Sequence, residues 1–289
     1  MLRYTPTPTV EITDPIVEKA GVRLLIKRED LNHPLISGNK WWKLKYNLAG
    51  AQTQNKKTLL TFGGAYSNHI YATAAAAAEL GFKSIGIIRG EETLPLNSTL
   101  SFAKQQGMSL NYVSRELYRT KTSSQFMDAL EQQFGGFYLI PEGGTNALAV
   151  KGATEFAQTL NMDFDNVCCP VGTGATLAGL INGLPEKKVI GFSVLKGGEF
   201  LTEDIQALTS LNGNWSVMTD YHFGGYAKTN SALEQFIRTF QAKHAIPLDQ
   251  VYTGKMMAGI YDLIQKGHFV RGNTILAIHT GGLQGKSVF

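Results

Sequence analysis

Short runs of β-branched and apolar residues alternate with longer stretches of helical spacing along almost the whole chain. The first half predicts strands over 24–27, 58–62, 84–88, 110–113 and 137–140, with helices over 41–51, 68–80, 96–106 and 123–134. Trp41, Leu44 and Leu48 share one face of the first helix, and Gly81 and Gly107 stop the second and third. The second half predicts helices over 149–160, 176–183, 231–243 and 256–266 and strands over 166–170, 189–194 and 274–278. Alternation of this kind specifies parallel sheets flanked by helices. The units are too many for one small sheet and show no fixed-period repeat. The expected fold is therefore α/β, two doubly wound parallel-sheet lobes with a cleft between them. Ligands in such folds sit beyond the carboxyl ends of the strands, which directs attention to the loops after Phe62, Pro170 and Ile278.

Composition narrows the class. Of 289 residues, 43% are hydrophobic and 17% charged, ordinary usage for a globular protein with a large core. The balance of 27 basic and 23 acidic residues gives a net charge of only +4, and no basic run is longer than a pair. Nucleic acid is not indicated, and small anions fit the mild positive balance. The first residues, Met1 to Thr9, contain no apolar export segment, and the alanine run Ala74 to Ala78 is far too short to cross a membrane. Cys168 and Cys169 are the only cysteines and offer no disulfide framework, so a cytoplasmic setting is expected.

Four segments hold candidate chemistry. Ser37-Gly38-Asn39-Lys40 opens a helix, where the helix dipole disfavours a cation and lowers the pKa of Lys40 toward the neutral amine that imine formation requires. Position alone leaves an ordinary surface lysine as the alternative, and the spacing of Lys43 and Lys45 places both on solvated flanks. Val171 to Thr176 is a glycine-rich strand-to-helix turn whose backbone amides, with the hydroxyls of Thr173 and Thr176, suit a monophosphate. No Gly-Lys-Ser/Thr follows it, and Leu177 fills the third glycine position of a dinucleotide fingerprint. Phe62 to His69 is again strand to helix. Ser67 and Asn68 could simply cap it, or could hold a ring oxygen and a substrate carboxylate, while His69 could pack, cap or do more. Tyr252 and Thr280, in Val251 to Lys255 and His279 to Gly282, read equally as core and turn residues or as site residues. The six histidines show no paired metal spacing, and no Gly-x-Ser-x-Gly elbow occurs, so neither a metal site nor a serine hydrolase is expected.

Taken together, these segments resemble the 1-aminocyclopropane-1-carboxylate (ACC) deaminase and D-cysteine desulfhydrase family of fold-type-II pyridoxal phosphate (PLP) enzymes. The resemblance rests on Lys27-Arg28-Glu29-Asp30-Leu31-Asn32, Gly38-Asn39-Lys40, Ser67-Asn68-His69, Gly143 to Ala147, Gly172-Thr173-Gly174, Leu248 to Lys255 and His279 to Gly282, in the family's order. It implies a tryptophan synthase β-like fold, with a large PLP-binding domain at 1–46 and 146–289 and a small domain inserted at 47–145. It also implies a homodimer acting on a small amino acid. By resemblance Lys40 is the Schiff-base lysine, Asn68 faces the pyridine O3′, and Thr280 faces the ring nitrogen. Gly172, Thr173, Gly174, Ala175 and Thr176 hold the phosphate. Ser67, Asn68, His69 and Thr253 lie on the substrate side, with Tyr226 and Tyr252 as active-site tyrosines.

Two positions bear on the branch. Deaminase-type sequences carry an acid after the Tyr252 equivalent and an apolar residue at the Thr280 equivalent, whereas here both are threonine, as in desulfhydrase-type sequences. A hydroxyl leaves the ring nitrogen largely neutral, a weaker electron sink that still suffices to expel thiolate. The expected reaction is β-elimination from D-cysteine to pyruvate, sulfide and ammonia, with Lys40 or Ser67 removing the Cα proton. The alternatives are ACC deaminase, another D-amino-acid ammonia-lyase, or a non-catalytic nucleotide- or PLP-binding protein. Departures from the family pattern are the short stretch between Thr176 and Tyr226, Tyr66 before Ser-Asn, and the tail Leu283 to Phe289.

Overall fold

The computed structural model describes residues 2–209 and 211–285, so the last four residues of the tail lie outside the described part. Ten strands form two sheets. The larger contains β1 (Thr9–Glu11), β2 (Arg23–Lys27), β7 (Asn166–Val171), β8 (Lys188–Ser193), β9 (Trp215–Met218) and β10 (Thr274–Ile278), in the order β1-β2-β10-β7-β8-β9. The smaller contains β3 (Thr58–Gly63), β4 (Lys83–Arg89), β5 (Met108–Val113) and β6 (Tyr138–Ile140), in the order β5-β4-β3-β6. Every pairing is parallel except that of β1 with β2, an antiparallel edge that the expectation of purely parallel sheets did not include.

The central strands read as unbroken apolar runs because helices cover both faces of each sheet. Every residue of β7 and β10 is buried. One core joins Trp41, Trp42, Leu59, Ile140, Val167 and Leu276, and so runs without interruption between the sheets. A second, on the opposite face of the large sheet, gathers Leu24, Ile26, Phe192, Met256 and Ile260.

The predicted elements are present with ends displaced by up to three residues, the largest shift being the last helix, Thr253–Gln265. Among the described residues, two strands and three α-helices were not anticipated: β1, β9 and the short helices Pro15–Ala20, Arg115–Arg119 and Leu201–Leu208. The first of these helices had a legible start and stop. Asp14 caps it by accepting from the Ile16 amide, Pro15 opens it, and Gly21 ends it in the left-handed conformation.

The order of connections positions the site. In the small sheet the chain steps outward from β3 through β4 to β5, then returns to place β6 on the other side of β3. In the large sheet it steps from β7 through β8 to β9, then returns to place β10 on the other side of β7. Each reversal opens a crevice beyond the carboxyl ends of two neighbouring strands. Both crevices open into the same cavity.

Candidate active site

A cavity of about 880 Å³ lies between the sheets, and the loops after β3, β6, β7 and β10 all contribute to its wall. Lys40, Ser67, Asn68, His69, Gly172, Thr173, Gly174, Ala175, Thr176, Tyr226, Tyr252 and Thr280 all line it. Of the residues singled out from sequence, Thr253 is the exception. It is fully buried in the first turn of helix Thr253–Gln265, and its hydroxyl donates to Asp249 Oδ1 at 2.7 Å. The substrate-side role expected of Thr253 is therefore corrected: its side chain completes a cap around Asp249. Tyr66, a departure expected near the pocket, is 60% exposed and is not among the lining residues.

Lys40 stands in the first turn of helix Asn39–Thr53, and the preceding turn is held from several sides. The Gly38 amide donates to Asn32 Oδ1 at 2.9 Å, and Asn32 Nδ2 returns a bond to the Gly38 carbonyl at 3.0 Å. Glu29, 1% exposed, accepts from Trp42 Nε1, Asn32 Nδ2, Thr7 and Tyr4. The Lys27-to-Asn32 stretch thus acts as a clamp for the lysine turn. Gly38 has φ +70°, and a Cβ there would lie 1.9 Å from the Thr280 carbonyl oxygen. Only glycine lets the lysine turn rest against the end of β10.

Burial lowers the Lys40 pKa to about 8. The expected direction holds, and loss of water around the buried amine is the leading cause. Lys43 corrects a sequence reading. It is 2% exposed and lines the cavity one turn beyond Lys40. Its helix is covered on nearly all sides, with Trp41, Trp42, Leu44, Asn47 and Leu48 all buried, so the flank expected to be solvated is interior. Burial, then repulsion from Lys40, holds Lys43 well below the ordinary lysine range. Lys45, by contrast, is paired with Glu155 at 2.5 Å.

The turn from β7 into helix Ala175–Gly183 has Gly174 at its N-cap and no side-chain cap. The first amides of the helix are left to whatever enters the cavity. Two hydroxyls there are oriented by neighbours. Thr176 Oγ1 accepts from Asn39 Nδ2 at 2.9 Å, and Thr173 Oγ1 accepts from Thr145 Oγ1 at 2.5 Å. Each acts as acceptor toward the protein and so keeps its own hydrogen to donate outward. Lys43 Nζ in turn donates to Thr145 Oγ1 at 3.3 Å. Lys43 and Thr145 belong to the site and were not assigned to it from sequence. The signal for Thr145 was its place in the Gly143-to-Ala147 match.

On the other wall, Ser67 caps helix Asn68–Leu80 by accepting from the Ile70 amide at 3.3 Å. Asn68 Oδ1 accepts from Gln284 Nε2 at 2.5 Å, which directs the amide NH2 as the donor available to the site. A Cβ on Gly282 would lie 2.2 Å from Asn68 Nδ2, so glycine is required there for the amide to reach its place. His69 is 1% exposed, and burial followed by the charges of Lys40 and Lys43 pushes its pKa far down. Thr61 Oγ1 donates its one hydrogen to the Ile140 carbonyl at 2.8 Å, so the 2.8 Å contact with His69 Nε2 has the ring N–H as donor. The ring is then neutral, with its Nδ1 lone pair buried and without a protein partner.

Tyr226 and Tyr252 form an edge-to-face pair with centroids 6.1 Å apart. Asp249 fixes the second by accepting from the amides of Val251, Tyr252 and Thr253, each at 2.8 Å. Lys255, fully buried, donates to the Gly225 carbonyl at 2.7 Å and so ties the loop carrying Tyr226 to the helix behind Tyr252. Burial raises both phenol pKa values, keeping the two hydroxyls protonated.

This geometry suits a ligand with an electrophilic carbon at Lys40, a monophosphate at the Gly174 helix terminus and a polar ring between Asn68 and Thr280. The family of pyridoxal-phosphate dependent enzymes matches the chain over residues 1–281. The chain belongs to that family. This PLP-dependent enzyme is 31% identical to the Arabidopsis thaliana "Bifunctional D-cysteine desulfhydrase/1-aminocyclopropane-1-carboxylate deaminase, mitochondrial", over 98% of this chain and 78% of the relative. It is 30% identical to a D-cysteine desulfhydrase of Klebsiella pneumoniae, over 96% of this chain and 92% of that one. A solved structure described as an ACC deaminase homologue superposes with a TM-score of 0.86 at 30% identity, covering 99% of this chain and 92% of that one. No helix among the described residues is long and apolar enough to cross a membrane.

Proposed function

We propose that this PLP-dependent enzyme is a lyase of the D-cysteine desulfhydrase type, which eliminates the β-substituent of a small amino acid and releases pyruvate and ammonia. From D-cysteine the third product is sulfide. The observation that carries the reading is Thr280 just beyond β10, 6% exposed and lining the cavity, where a hydroxyl would face the cofactor ring in place of the apolar residue of deaminase-type sequences. The name of the Klebsiella relative supports the same branch, while that of the Arabidopsis relative joins both branches. In this reading Lys40 carries the cofactor. Asn68 would donate to the ring hydroxyl oxygen, Thr280 would face the ring nitrogen, and the 172–176 turn would hold the phosphate. Residues 1–46 and 146–289 then form the cofactor domain and 47–145 the inserted one. The assembly is a cytoplasmic homodimer.

Bound there, the cofactor supplies an electron sink that weakens the Cα–H bond of the substrate. Lys40, its pKa brought down to about 8, would hold the cofactor and, once the substrate amine has taken its place, would act as a free amine to take the Cα proton. Ser67 stands at the opposite wall as the base for the other stereochemical face. The substrate carboxylate sits at the free amides of Asn68 and His69, at the N-terminus of their helix. Tyr226 and Tyr252, held protonated by burial, give a proton to the departing thiolate or orient it.

The test is a side-by-side assay of D-cysteine, ACC and D-serine with the PLP-loaded enzyme, following keto acid, sulfide and ammonia together. Sulfide and pyruvate from D-cysteine are the expected products, and turnover of ACC alone would overturn the branch assignment. Lys40→Ala is expected to abolish both the yellow absorbance and turnover. Survival of both would remove Lys40 from the reaction.

A further inference from the structure

Arg89 closes β4 and lines the cavity, where the reaction as read above gives it no task. Its Nη2 lies 3.6 Å from where a Cβ on Gly64 would stand, so the guanidinium sits beside the loop that leads from β3 to Ser67. Its Cζ is 5.8 Å from the centre of the Tyr118 ring, which supports it from behind. Its charge also reaches the phenol of Tyr226 on the facing wall. The neighbouring cation, Lys121, is neutralised by Glu142 at 3.2 Å, whereas no carboxylate pairs with Arg89 among the described residues.

An uncompensated guanidinium at a cavity wall is a fork for an anion. The anions already assigned have donors elsewhere. The phosphate lies at the helix that starts after Gly174, and the α-carboxylate lies at the first amides of helix Asn68–Leu80. Arg89 stands instead beside the 64–67 loop and within electrostatic reach of Tyr226, one of the pair to which the reading above assigns the leaving group.

We propose that Arg89 is a specificity residue that selects amino acids whose β-leaving group bears a second anion, a carboxylate or sulfonate. This inference rests on the lyase reading above and names the substrate class of that same site.

The test is calorimetric titration of the PLP-loaded enzyme with alanine and with aspartate, each as both enantiomers. One aspartate enantiomer is expected to bind about tenfold more tightly than the corresponding alanine. Arg89→Gln is expected to erase that advantage while changing alanine affinity by less than about twofold. Arg89→Lys, which keeps the charge, is expected to restore part of it. Equal weakening of alanine and aspartate in Arg89→Gln would show that the residue reads the α-carboxylate and would overturn the proposal, as would the absence of any aspartate preference in the parent enzyme. Failure of the parent protein to take up PLP is a different result, visible as missing yellow absorbance before any amino acid is added. It would overturn the lyase reading and this inference with it. D-cysteine turnover without an aspartate preference would overturn the inference alone.

Discussion

Asn39 Nδ2 donates to Thr176 Oγ1 across 2.9 Å, joining the turn that carries Lys40 to the turn that ends β7. One side chain therefore ties together the two turns to which the proposed function assigns the cofactor, and leaves the Thr176 hydrogen free to point into the cavity. Replacing Asn39 with alanine removes a bond of about 1 kcal/mol. PLP affinity of the apoprotein is expected to fall about fivefold, read by absorbance or fluorescence titration. Unchanged affinity would mean that the backbone amides alone hold the phosphate.

Gly38→Ala strikes the same junction from the backbone side. The new Cβ meets the Thr280 carbonyl at 1.9 Å, and the residue must hold φ at +70°. The left-handed conformation costs a non-glycine residue about 1 kcal/mol or more, and the clash adds to it. The variant is expected to melt lower than the parent and to bind PLP weakly. Ser37→Ala, one position earlier, serves as the control.

Much of this site was legible in the sequence because its backbone is built from local signals. Strand-to-helix turns at Phe62 to Asn68 and Val171 to Thr176 announce themselves through glycine and capping residues, and parallel order sends their ends to one side. What could not be read were contacts between distant segments. Lys43 looked like a solvated flank because helical spacing gives the faces of a helix but not how many of them are covered. Thr253 looked like a site residue because it follows Tyr252, and only the fold shows Asp249 claiming its hydroxyl. Arg89 carried no motif at all, and its role follows from β4 lying next to β3 in the sheet.

Buried lysines and phenols give the apoprotein a defined response to alkaline pH. Burial lowers Lys40 and Lys255 to about 8 and lowers Lys43 as well, so above that pH the unfolded chain holds protons that the folded one has lost. Stability rises with pH in that window. Above the ordinary cysteine value of 9.0 the raised pKa of Cys169, about 12, offsets part of that rise, and above the tyrosine value of 10.0 the sign reverses as buried phenols such as Tyr252 keep their protons only in the folded chain. Urea denaturation of apoprotein across the alkaline range is expected to show a maximum near pH 10. A monotonic fall from pH 7 would contradict the lowered lysine values.

His69 predicts the acid side. Its folded-state pKa lies well below 6.5, so below that pH the unfolded chain gains a proton that the folded chain does not, and stability falls as the pH drops. His69→Gln is expected to flatten that slope. Thr61→Val leaves the ring N–H and the Ile140 carbonyl without their partner and is expected to cost about 1–3 kcal/mol. In the parent protein, nitrogen NMR of labelled histidine should report the proton on Nε2; a proton on Nδ1 would reverse the bonding assigned to Thr61.

Lys255 separates positioning from binding. Its amine reaches the Gly225 carbonyl at 2.7 Å, one residue before Tyr226, yet Lys255 is not among the residues that line the cavity. Lys255→Met keeps most of the buried volume and removes the bond, freeing the loop of the tyrosine pair. If the pair delivers a proton to the leaving group, kcat on a thiolate-leaving substrate is expected to fall about tenfold with PLP affinity unchanged. A substrate whose leaving group needs no proton, such as β-chloroalanine, should be nearly insensitive to the change. Equal losses on both substrates would place the effect in folding of the site rather than in proton delivery by Tyr226 and Tyr252.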